Sequence, residues 1–131
     1  MATGKMKVSA MGGWTFVVGS EFEVLDNGDS VQAVDGKRIV YVSSLRVGKP
    51  EAPVRAARLR ATAAGQFGTG ERFSHVGESV QGDAEASFEG ATWHLSGTMC
   101  ADGTVATCLI DFPTSEGLAW AIAVWKSLLC E

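Results

Sequence analysis

Hydrophobic positions recur at two different spacings along this chain, and the change from one to the other divides it. Residues 83–88 and 91–101 alternate apolar with polar at a period of two, the spacing of strands with one buried face. Glu89-Gly90 between them fits a two-residue hairpin turn, which pairs Phe88 with Ala91, Ala86 with Trp93 and Ala84 with Leu95. These residues are all apolar, and the opposite face of that register sets Ser87 against Thr92, Glu85 against His94 and Asp83 against Ser96. Asp102-Gly103 reads as a type I′ turn whose register sets Met99 against Ala106, Leu95 against Ile110 and Trp93 against Phe112. A three-stranded antiparallel meander is expected.

Past Pro113 the period changes to that of a helix. Leu118, Ile122, Trp125 and Leu129 stand at i, i+4, i+7 and i+11, with Ala121, Val124 and Leu128 widening the stripe. Thr114 or Ser115 can cap the start, Glu116 suits the first turn and Lys126 the last. The pattern predicts a C-terminal amphipathic helix packed on the sheet. Trp120 lies about 160° from the stripe at about 100° per residue. A large aromatic there points to cover from a second chain or a protein partner, as in a homodimer through the C-terminal helix.

The first half is more broken. Residues 14–18 and 22–25 flank Gly19-Ser20, a pair suited to a type II′ hairpin turn, and Asp26-Asn27-Gly28-Asp29 then interrupts the chain. Residues 31–34 and 37–44 flank Asp35-Gly36, a second hairpin signal whose mixed alternation leaves the register open. From Pro50 the composition turns to Ala and Arg, and Pro53 can open a mid-chain helix running to Thr62, with Val54, Ala57, Ala61 and Ala64 as a thin apolar stripe and Gly65 as its stop. The whole reads as α+β: a twisted antiparallel sheet of short hairpins, a mid-chain helix and a C-terminal helix.

Length and composition narrow the setting. A chain of 131 residues with 46% hydrophobic and 20% charged positions fits a single domain, residues 1–131, with a core that needs no disulfide or metal. The formal charge of −4 argues against nucleic-acid or anionic-membrane partners and leaves a basic protein partner open. Three Cys without C-x-x-C spacing and two His imply neither a disulfide framework nor a zinc site, so no cofactor or metal is expected. Free thiols are expected: Cys108 buried, Cys100 on the outer face and Cys130 in a fraying terminus. The stretch after Lys5 and Lys7 is too short and polar for a secretory h-region, and no apolar run reaches the roughly 18 residues of a span, which points to the cytoplasm.

Familiar signatures fail. Gly65-Gln66-Phe67-Gly68-Thr69-Gly70 has its glycines in the wrong order for a dinucleotide loop. The stretch from Gly77 to Gly82 misses a nucleophile elbow by one position, and G-K-[ST] is absent. Arg55, Arg58 and Arg60 read as a solvated helix face. What is left is His94, which the two meander registers place between Glu85 and Asp111 on one face. An imidazole between two carboxylates suits a general acid or base or a pH-responsive contact, while a solvated charge ladder explains the same pattern without chemistry. Ser96 and Thr92 share that face, but neither has a sequence signature of an activated nucleophile.

The order of strand hairpins, mid-chain helix, meander and closing helix, with residues 112–113 leading into Trp125-Lys126-Ser127-Leu128, resembles the PsbP-type α/β/α sandwich. That resemblance implies a binding or assembly module. Size and acidity also resemble those of small bacterial immunity proteins. The function expected is therefore a non-enzymatic cytoplasmic protein-interaction module, immunity-type or chaperone-like, binding a basic partner through Trp120, Glu85, His94 and Asp111. The alternative is a small-molecule binder or enzyme whose catalytic residues are His94, Glu85 and Asp111, and the two differ in whether that face is flat or encloses a pocket.

Overall fold

Alternating apolar and polar residues build strands through most of the described part of the chain. The computed structural model describes residues 4–46, 71–101 and 103–131. In chain order the strands are β1 (Lys5–Ser9), β2 (Trp14–Gly19), β3 (Glu23–Asp26), β4 (Ser30–Val34), β5 (Ile39–Arg46), β6 (Glu71–Val76), β7 (Gln81–Glu89), β8 (Thr92–Ala101) and β9 (Thr104–Phe112). A helix, α1 (Leu118–Lys126), and a two-residue strand, β10 (Leu129–Cys130), complete the order. All pairings are antiparallel: β3-β4-β5-β9-β8-β7-β6 form a large sheet and β1-β2-β10 a small one.

The core lies on one face of the large sheet. Its rows run Ala33, Val40, Ile110, Leu95, Ala86 and Val31, Val42, Cys108, Gly97, Ala84 across consecutive strands. These residues are all buried, and α1 and β2 pack near them. Gly97 makes the close approach of α1 possible, since a Cβ there would lie 2.6 Å from Cδ1 and Nε1 of the Trp125 ring. The Trp125 indole instead lies against bare backbone and donates to the Thr98 carbonyl at 3.1 Å. Trp14, on β2, donates from Nε1 to Thr104 Oγ1 at 2.9 Å with both partners buried, which ties the small sheet to the start of β9.

The α+β class and the antiparallel sheet are as expected, and so is the β8–β9 register, with Met99 opposite Ala106, Leu95 opposite Ile110 and Trp93 opposite Phe112. The mid-chain helix, the cluster of Arg55, Arg58 and Arg60 and the 65–70 glycine run lie outside the described residues. Four expectations need correction. The β7–β8 turn is Gly90-Ala91, not Glu89-Gly90, because φ is positive at both turn residues (56° and 71°) and glycine takes the first of those positions more readily than glutamate. Phe88 therefore faces Trp93, Ala86 faces Leu95, Ser87 faces His94 and Glu85 faces Ser96.

Gly19-Ser20 does not close a hairpin. β2 joins the small sheet and β3 the large one, so the turn carries the chain between layers. The helix also starts later and is rotated. It begins at Leu118 after a 3-10 turn over Ser115–Gly117 with no side-chain cap, and its buried stripe is Ala121, Val124, Trp125 and, past its end, Leu128. Leu129 is exposed because the chain leaves the helix at Ser127, whose Oγ accepts from the Val17 amide at 2.9 Å, and then pairs with β2. For the same reason Cys130 does not fray: it sits opposite Trp14 in the small sheet.

Candidate functional site

The strand register decides which side chains meet on the outer face of the large sheet. One row runs Val34, Ile39, Asp111, His94, Ser87, and the next Gln32, Tyr41, Leu109, Ser96, Glu85, Arg72. His94 and Asp111 are thus direct cross-strand neighbours, and His94 Nδ1 lies 2.6 Å from Asp111 Oδ1. Where the Asp111 carboxylate accepts this hydrogen bond, Nδ1 is its donor and Nε2 is the ring nitrogen that Asp111 does not engage. Both side chains are partly exposed. Ile39, Tyr41, Ser87, Glu89, Ser96 and Leu109 join them around a shallow hollow of about 410 Å³.

Glu85 does not belong to that pair. The shifted hairpin sets it against Ser96 on one side and Arg72 on the other, with the Arg72 Nε 3.9 Å from its carboxylate, and it is buried while His94 is not. The proposed trio is therefore a dyad. Thr92 lies across from Glu89 at the turn. Among the described residues only Asp111 hydrogen-bonds the His94 ring, and no group of three His, Cys, Asp or Glu is arranged to hold a metal ion.

Trp120 occupies a different place, the seam between α1, the small sheet and the β4–β5 turn. Its ring stacks on Phe22 at 5.7 Å between centroids and 11° between planes, and the Arg38 guanidinium carbon lies 4.3 Å from its centroid and 5.0 Å from that of Phe22. Part of its cover thus comes from its own chain. Arg38 is fixed in turn by Asp35, whose Oδ2 accepts from Nε and Nη2 at 2.7 and 2.6 Å, while Oδ1 accepts from the Lys37 and Arg38 amides at 3.1 and 2.7 Å. Burial pushes the Asp35 carboxyl up, but the hydrogen bonds from the Arg38 amide and guanidinium and from the Lys37 amide outweigh it, together with the charge of Arg38, and hold it below its ordinary value. Sequence reasoning missed Phe22 and Arg38. The spacing Asp35-Gly36-Lys37-Arg38 carried a signal, an Asx turn that ends on a bidentate donor.

Two of the three thiols are held above their ordinary value. Burial pushes Cys108 up to about 12. Burial also raises Cys130, against the charge of Arg46. No helix among the described residues is long and apolar enough to cross a membrane.

The backbone as a whole superposes on a known architecture. A search of solved structures finds cyanobacterial PsbP (CyanoP) from Synechocystis sp. PCC 6803, with a TM-score of 0.67 over 100% of this chain and 95% of that one. The fold is PsbP-like. At 12% identity the PsbP-like resemblance is one of fold, and it brings no site residues with it. No protein-family profile and no curated protein sequence matches the chain.

Proposed function

We propose that this protein is a non-enzymatic interaction module that docks a basic protein partner on the outer face of its large sheet. The observation that carries the reading is the pair Ile39 and Leu109, 42% and 44% exposed on that face, the first beside Tyr41 along β5 and the second across from it on β9. Such side chains gain by being covered, and Asp111 and Glu89 supply an acidic rim around them. A net charge of −4 speeds encounter with a basic partner in the same sense. Small acidic proteins of the immunity or chaperone type, working in the cytoplasm, fit this description. A homodimer through Trp120 is a separate proposal, which sedimentation of wild type and Trp120→Ala tests.

Affinity capture with wild type and with the double variant Ile39→Ser, Leu109→Ser tests the docking face. The expected result is a basic protein retained by wild type, lost with the double variant and weakened by added salt. Identical captures from the two baits would overturn the reading. One observation favours a second reading: with Nδ1 held by Asp111, His94 has the orientation of a general base. On that reading a small molecule occupies the hollow, and His94→Asn abolishes its turnover while partner capture persists.

A further inference from the structure

The seam around Trp120 is a cleft of about 660 Å³, inside the range of roughly 300–1,000 Å³ typical of small-molecule sites. Val17, Val18, Ala123 and Val124 give it an apolar floor, and Trp120 gives it a flat aromatic wall. Its charged groups stand at distinct positions: Lys5 from β1, Glu21 from the β2–β3 turn and Arg38 from the β4–β5 turn. Four separate segments of the chain thus converge on it.

Arg38 is the best organised of these groups. Asp35 holds it through Nε and Nη2, and two aromatic rings lie against its guanidinium, so its position is set before any ligand arrives. Nη1 takes no part in the Asp35 contacts, and Lys5 lines the same cleft as a second cation. Glu21, with Oε1 3.9 Å from Arg38 Nη2, adds one negative charge to the lining. Two cations and one carboxylate over an apolar floor favour one anionic group and oppose a second.

We infer that this cleft binds a small amphipathic monocarboxylate, its acid group between Lys5 and Arg38 and its apolar body against Trp120, Ala123 and Val124. The inference is independent of the docking face, which is lined by other residues on another side of the sheet. No covalent step is involved. The site would serve recognition of a metabolite or the tuning of the fold by one.

Titration of the 15N-labelled full chain with 3-phenylpropionate, its neutral amide and the dianion phenylsuccinate tests this. The acid should shift the amides of Val18, Gly19, Ala123 and Val124 in a saturable way, and the amide and the dianion should each bind at least about fivefold more weakly. Lys5→Met should weaken the acid by a similar factor while leaving the amide unchanged. Ala123→Phe, at an exposed helix position facing the cleft, should block both. Absence of saturable shifts at these residues up to about 10 mM acid overturns the site. Equal binding of acid and amide, or insensitivity to Lys5→Met in a folded variant, overturns the assignment of an anionic ligand. If Lys5→Met fails to fold, the comparison of acid with amide on wild type still decides.

Discussion

The two faces of the large sheet are built from the same strands, with apolar residues on both, yet neighbouring apolar positions in its central strands differ sharply in burial. On the inner face Val40, Val42, Leu95, Met99, Ile110 and Phe112 are each no more than 1% exposed. On the outer face Ile39 and Leu109, one residue away along the same strands, are above 40%. Residue type cannot account for this, since Val42 and Leu109 are both apolar and both lie in central strands. What differs is what is docked: α1 and the small sheet bring Trp125, Trp14 and Phe16 to the inner face, and apolar area removed from water contributes roughly 25 cal/mol per Å². The docked layers thus cover the inner face, while the outer face buries Glu85, Thr98 and Cys100 but leaves Ile39 and Leu109 in water.

Trp125→Ala is the largest single way to break that contrast. The ring is fully buried against Gly97 and makes a hydrogen bond to the Thr98 carbonyl, so its removal should cost about 3–5 kcal/mol as an unfilled cavity. Chemical denaturation measures it. A loss under about 1 kcal/mol would mean that α1 is not what seals the inner face.

Trp93→Ala sharpens the boundary between the faces. Trp93 points to the inner side but lies at the end of the sheet, half-buried between Phe88 at 5.2 Å and Phe112 at 6.3 Å. Its removal should cost about 1–3 kcal/mol, less than Trp125, because part of the ring is already wet. Equal losses at the two positions would show that packing, rather than depth, controls the inner face.

The same hairpins show how far the pattern of residues was readable. Alternation along β7 and β8 assigns Ala84, Ala86, Trp93 and Leu95 to one face correctly, and that parity survives a slip of two residues in the partner strand. It therefore carried no information about whether Glu85 or Ser87 lies beside His94. The turn decided that, through positive φ at Gly90 and at Ala91, the latter a residue with no obvious turn preference. Across β8–β9 Gly103 has φ of 75°, the conformation a type I′ turn needs from its glycine, and the expected register with His94 opposite Asp111 is the one found. The Trp120 cleft was invisible for another reason: Phe22, Arg38 and Trp120 come from separate segments, and only the tertiary fold brings them together. The exit of the chain at Ser127 into β10 was equally hidden, since a helical stripe continuing to Leu129 looks the same in the sequence.

Asp35 tests the seam where inner and outer layers meet. Asp35→Ala removes two amide caps and the bridge to Arg38, which should cost about 1–2 kcal/mol. The folded carboxyl is held below its unfolded value, so its contribution is present in full above the unfolded pKa and is lost as pH falls through the folded one. The stability difference between wild type and variant should be flat above about pH 5 and shrink below about pH 4. A difference that grows on acidification would show that burial, not hydrogen bonding, governs this group.

The smallest expected change belongs to the outer face. Leu109 projects from central strand β9 yet is 44% exposed, and its neighbours across the sheet are Tyr41 and Ser96. Replacing it with Ser removes apolar surface that folding has only partly covered, and leaves a hydroxyl that water can reach, so neither a cavity nor an orphaned polar group results. The backbone pairing with β5 and β8 is untouched. Leu109→Ser should therefore shift unfolding stability by no more than about 0.5 kcal/mol, against several for Trp125→Ala on the opposite face. Thermal and urea unfolding of the two variants side by side checks this. A loss above about 2 kcal/mol at Leu109 would mean that the outer face is also sealed in solution, and the proposed docking surface would then be part of the core.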